Sequence, residues 1–123
     1  MKLHTAATLA SLATALTLSS AAMAQHAPKG CFLTEDLRRH TIAGKNTIYL
    51  NVLGTDTYEV KTDDACLAHA TSHEPIVIKD LGLGTICHQH DLEIIVRGSH
   101  CHISSLTKLS QSSAAAIPKA LQP

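Results

Sequence analysis

The chain has 123 residues, with ten Lys+Arg against ten Asp+Glu, nine His, four Cys and no Trp; Phe32, Tyr49 and Tyr58 are its only aromatics. A formal charge near zero with no basic run argues against a nucleic-acid or anionic-membrane binder, whose affinity rests on a concentrated excess of Lys and Arg. The length argues against a large enzyme, and 45% apolar residues against a wholly disordered chain, which leaves one domain.

In chain order, residues 1–24 read as a signal peptide. Lys2 precedes a mildly apolar Ala/Leu/Thr/Ser stretch, and Ala22-Met23-Ala24 supplies the small residues at which a signal peptidase cuts, after Ala24. A retained anchor needs about 20 strongly apolar residues. Here Thr8, Ser11, Thr14, Thr17, Ser19 and Ser20 dilute the run. The expected product is periplasmic or secreted, and is not an integral membrane protein after cleavage.

Residues 25–30 form a linker, and residues 31–109 carry the pattern of a β-rich domain. Thr34 followed by Glu35 and Asp36 predicts one short helical turn. Residues 39–42 and 47–52 flank Ala43-Gly44-Lys45-Asn46 as a hairpin, with Ile48, Leu50 and Val52 at period two on one buried face. Leu53-Gly54-Thr55-Asp56 predicts a second turn, and residues 57–61 complete a three-stranded meander. Residues 62–84 read as a long connection that includes the short apolar run Ile76-Val77-Ile78 and the turn Leu81-Gly82-Leu83-Gly84. Leu92, Ile94 and Val96 resume the alternation; Arg97-Gly98-Ser99-His100 reads as a turn, and a last strand begins at Cys101. Residues 110–123, rich in Ser and Ala, read as a flexible tail or frayed helix. The fold class expected is mainly β, a small antiparallel sheet or partly open barrel of about five strands.

All four cysteines survive cleavage. An even number in a short exported chain predicts a disulfide framework, because the oxidising compartment lacks the reductants that keep thiols free. Four cysteines allow three pairings. Chain order favours Cys66 with Cys87, which close one extended segment and open the next, and Cys31 with Cys101, which open the first and last elements.

These residues resemble a family. Cys31-Phe32, Asp36-Leu37-Arg38, Asn46-Thr47-Ile48-Tyr49, Cys66, Cys87, the run Asp91-Leu92-Glu93-Ile94-Ile95-Val96-Arg97-Gly98 and Cys101-His102-Ile103 are similar to a small exported four-cysteine bacterial family catalogued only as a domain of unknown function. The resemblance spans residues 31–109. It implies a periplasmic domain and lends no catalytic residue, and the histidines are not part of its pattern.

Eight of the nine histidines lie beyond the cleavage point: His26, His40, His69, His73, His88, His90, His100 and His102. On extended chain, His88 and His90 share a face, as do His100 and His102, so two such pairs on neighbouring strands would converge on one zinc or copper ion. Oxidation of Cys87 and Cys101 removes the sulfur ligands, because the thiolate is the form that binds metal. The plainer reading makes these histidines solvated positions beside turns.

Catalysis is not expected. A thiol nucleophile needs a free cysteine with a histidine base, whereas sequence neighbours such as Cys87 and His88 point to opposite faces of a strand. The chain has no Cys-x-x-Cys, no glycine-rich phosphate loop and no nucleophile elbow. Asp36, Asp91 and Glu93 read as solvated acids, and Arg38, Arg39 and Arg97 as solvated bases. The leading expectation is therefore a non-catalytic module without a required cofactor, binding an unidentified protein or cell-envelope partner. A His-based zinc or copper protein is the alternative, and a thiol enzyme or redox protein the second alternative.

Overall fold

The computed structural model describes residues 27–123. The expected signal peptide, its cleavage site and His26 lie outside the described residues. Among the described residues the fold is mainly β and antiparallel, as the alternating patterns predict, with one short α-helix and two disulfides.

Strands β2 (Leu37–Ile42), β3 (Thr47–Val52) and β4 (Asp56–Thr62) form the expected meander, and β9 (Ile103–Lys108) pairs with the far edge of β4. Period-two spacing turns Ile48, Leu50 and Val52 inward, where their exposures are 0, 0 and 2 %. The helical turn expected after Leu33 is present at Thr34–Asp36.

A second sheet contains β5 (Ile76–Asp80), β7 (Leu92–Val96) and β8 (Ser99–Cys101). The segment expected as a long connection thus holds a strand. Ile76 and Ile78 pack against the core while Val77 points outward at 50 % exposure, so an apolar residue on the solvent face hides the alternation. The β7–β8 connection is shorter than expected. Val96 pairs directly with Ser99, and Arg97 and Gly98 both take positive φ, 52° and 80°, as a two-residue hairpin of type I′ requires.

One stretch of chain serves both sheets. β8 pairs with β7, the run breaks at His102, and β9 continues onto β4. The β4–β9 ladder also shifts register between Lys61 and Thr62, placing one extra residue on β9. After that bulge the inward phase moves: Ile103 is buried, and the next β9 side chain packed against the core is Leu106. The simple alternation expected from Cys101 onward therefore fails after Ile103.

The short strands β1 (Phe32–Leu33) and β6 (Thr85–Ile86) pair with each other at one end of the core. There the Phe32 ring meets Tyr58, with centroids 4.6 Å apart. Phe32 opposes Ile86 and Leu33 opposes Thr85, so the next rung of the same ladder brings Cys31 to Cys87, and these two are bonded. At the other disulfide, Cys66 joins Cys101. The chain leaving β4 is drawn to the sheet corner by an Asp63 amide donating to the His102 carbonyl (3.2 Å) and a His102 amide donating to the Asp64 carboxylate (2.7 Å). The pairing expected from chain order, Cys66 with Cys87 and Cys31 with Cys101, is therefore corrected, because spatial adjacency of strands decides it.

β2 and β5 are not hydrogen-bonded partners, and the barrel is open along this seam. Its ends are tied. The Ile42 amide donates to the Ser72 carbonyl (2.8 Å), His40 Nε2 to the Glu74 carbonyl (2.8 Å), and the Thr34 hydroxyl to Asp80 at the opposite end (3.3 Å). Residues 110–123, expected as a flexible tail, fold back. The helix α1 (Gln111–Ala115) is capped by the Ser110 hydroxyl and lies against β4, Ile117 is 6 % exposed, and the buried Thr41 hydroxyl donates to the Leu121 carbonyl (2.5 Å). A single buried isoleucine in a Ser/Ala-rich run gives no periodic signal, which is why the docking escapes a pattern-based reading.

Candidate functional site

The corner at which the β8–β9 run changes sheets gathers most of the unusual chemistry. Cys101 and Ile103 point into the core and are buried. Alternation then turns His100 and His102 outward, as expected for residues two apart on a strand, and both are exposed. A 3-10 turn at Gln89–Asp91 packs against β9 and brings His90 to the same place. His90, His100 and His102 line one pocket of about 250 Å³, together with Glu93 and Leu81.

Two of these histidines are held by carboxylates. His100 Nδ1 donates to Glu93, which lies on the adjacent strand diagonal to it and on the same outward face. His102 Nδ1 donates to Asp63 at 2.5 Å, across the corner where the chain leaves β4. The partners Glu93 and Asp63 are seven and 39 residues away in sequence, so nothing in the linear pattern marks them.

His88 stands apart from this set. Its Nδ1 is 3.6 Å from Asp91, beyond a hydrogen bond, and it does not line the pocket. The Asp91 carboxylate is instead occupied by the backbone amides of Cys87 (2.9 Å) and His88 (2.8 Å). Those two amides, acting on the ionised form, hold the Asp91 carboxyl below its ordinary value of 3.8. The four histidines expected to converge thus divide: His90, His100 and His102 line one pocket, and His88 does not.

Among the described residues, the group of three or more ligand atoms lying within 4.8 Å of one another is Asp64, Cys66 and Cys101. Its sulfurs are joined to each other, and a disulfide sulfur is a poor ligand. The ring nitrogens of His90, His100 and His102 do not meet that distance as a set. His69 and His73 lie in turns between β4 and β5.

Among the described residues three other concavities are larger: one of about 590 Å³ beside Asn46, Asp63 and Asp64, and two of about 360 Å³. Of these two, the first lies between residues 27–32 and the β3–β4 turn; at its edge Lys108 pairs with Asp56 (3.0 Å), and that hydrogen bond raises the lysine pKa. The second exposes Arg38, Arg39 and His73 beside the end of the docked tail. Arg97 is exposed, as expected for a solvated cation, and also joins the β7–β8 turn to the loop before β5, reaching Glu74 (3.1 Å) and the His69 carbonyl (3.1 Å).

The chain matches no family model, no curated protein and no solved structure. Among the described residues, no helix is long and apolar enough to cross a membrane.

Proposed function

We propose that the protein is a non-catalytic, exported binding module of an oxidising compartment such as the periplasm, stapled for use outside the reducing cytosol. The observation that carries this reading is that all four cysteines are consumed in two disulfides. Each bridge closes a long loop, with sequence separations of 56 and 35 residues, so each removes much of the freedom of the unfolded chain. Neither pair leaves a thiolate for nucleophilic or redox chemistry.

A binding role also accords with the flank of the second sheet. Among the described residues β5 is paired on one edge only, Val77 on its outward face is 50 % exposed, and Leu81 and Leu83 in the following turn are 63 % and 99 % exposed. Exposed apolar side chains on the outward face of β5 and in the turn after it suit a protein or cell-envelope partner. Expression of the full chain in a bacterial host, followed by fractionation and titration of thiols in denaturant, tests the reading. The expected result is a shortened chain outside the cytosol with no reactive thiol. A cytosolic protein carrying free, reactive cysteines would overturn it.

A further inference from the structure

We propose that the corner pocket is a site for a borderline transition-metal dication, zinc or copper(II), bound by the imidazoles of His90, His100 and His102, with Glu93 and Asp63 as positioning residues. This goes beyond the module reading. Its basis is which nitrogen of two rings is already committed. A histidine that ligates metal through one ring nitrogen commonly donates its other N–H to a carboxylate, which fixes the tautomer and strengthens the ligand. His100 and His102 both commit Nδ1 in this way, to Glu93 and Asp63. In the neutral ring each therefore keeps its lone pair on Nε2.

The placement of the pair has the same logic. Residues two apart on an extended strand project to one side, and the buried Cys101 and Ile103 on either side of His102 anchor the backbone from which they project. Cys101 is further fixed by its bond to Cys66, and the His102 amide by Asp64. The third ring, His90, comes from a separate element across the same pocket. The ring nitrogens of the three do not lie within 4.8 Å of one another, so binding requires the rings to turn toward the ion, and the His100 and His102 side chains, 67 % and 74 % exposed, are open to solvent. Three imidazoles leave a fourth position for water and favour zinc or copper over magnesium or calcium, which take oxygen ligands.

The test uses the oxidised, tag-free mature protein, titrated calorimetrically with zinc, copper(II) and magnesium. The expected result is one zinc or copper ion per chain with a Kd near or below about 1 μM, and no magnesium binding. His100→Ala/His102→Ala is expected to weaken that binding at least about 100-fold, and Glu93→Gln, which keeps both rings, by about 10-fold. His69→Ala/His73→Ala is expected to leave it unchanged. Circular dichroism of each variant confirms the fold, and Glu93→Gln carries the test should the double variant not fold. Binding no tighter than about 100 μM overturns the proposal, as does binding indifferent to Glu93→Gln and His100→Ala/His102→Ala. Loss of metal binding with disulfides and export intact would leave the module reading standing, whereas free thiols in the exported protein would defeat that reading alone.

Discussion

Arg97 in the β7–β8 turn reaches Glu74 in the loop before β5, with Nε 3.1 Å from the carboxylate, from a backbone position at φ 52° that few residues other than glycine, asparagine and aspartate adopt. Together with its bond to the His69 carbonyl, this contact ties the β7–β8 hairpin to residues 69–74. The same loop supplies the Ser72 carbonyl that accepts the Ile42 amide at the open edge of β2.

Loss of that tie is expected to loosen the seam more than it lowers global stability. The Arg97 side chain is 57 % exposed, so solvent screens the pair, and Arg97→Ala should cost no more than about 1 kcal/mol in urea unfolding. Hydrogen exchange at the Ile42 amide should accelerate in this variant while the Ile48 and Leu50 amides stay protected. Uniform acceleration at all three would contradict the local role.

The docked tail predicts a larger effect from a smaller residue. Ile117 is 6 % exposed, and Ile117→Ala should cost about 2 to 4 kcal/mol, a penalty that a mobile tail would never show. Chemical denaturation measures it. Thr41→Val, which removes the hydroxyl held by the Leu121 carbonyl, should make residues 110–123 more sensitive to limited proteolysis.

Asp91 gives a pH dependence whose sign follows from its partners. Because the Cys87 and His88 amides favour the ionised carboxylate, its folded-state pKa lies below the unfolded value of 3.8. Its contribution is therefore complete above that unfolded value and is lost as acidification passes down through the folded value. Thermal midpoints of the protein and of Asp91→Asn should differ at pH 7 and converge toward pH 2. A gap independent of pH would show that the amides do not act through charge.

The two bridges carry much of the stability of so small a core. With loops of 56 and 35 residues, Cys31→Ala/Cys87→Ala and Cys66→Ala/Cys101→Ala should each lose roughly 4 kcal/mol in urea unfolding on the chain-entropy account. An unchanged midpoint in either double variant would remove the role assigned to that bridge.

The features that could be read from the sequence are those set by local periodicity. Ile48, Leu50 and Val52 announce β3 because they recur at period two on one buried face, and Leu92, Ile94 and Val96 announce β7 by the same spacing, even with Ile95 between them. Val77 breaks that rule on β5, and the β9 bulge breaks it between Ile103 and Leu106. The disulfide pairing was hidden for a different reason. The Phe32–Ile86 rung that aligns Cys31 with Cys87 is a long-range contact with no trace in spacing. At the corner pocket, the shared face of His100 and His102 follows from a period of two, whereas their partners Glu93 and Asp63 come from chain closure alone. His88 separates from His90 because the chain there makes a 3-10 turn in place of a strand.

Peptide mapping under non-reducing conditions, on protein recovered from the extracytoplasmic fraction of cells expressing the full chain, bears most directly on the whole account. The prediction is two linked peptide pairs, one joining Cys31 to Cys87 and the other Cys66 to Cys101, with no alkylated cysteine. Recovery of Cys31 joined to Cys66 or Cys101, or of unpaired cysteines in the folded protein, would contradict it.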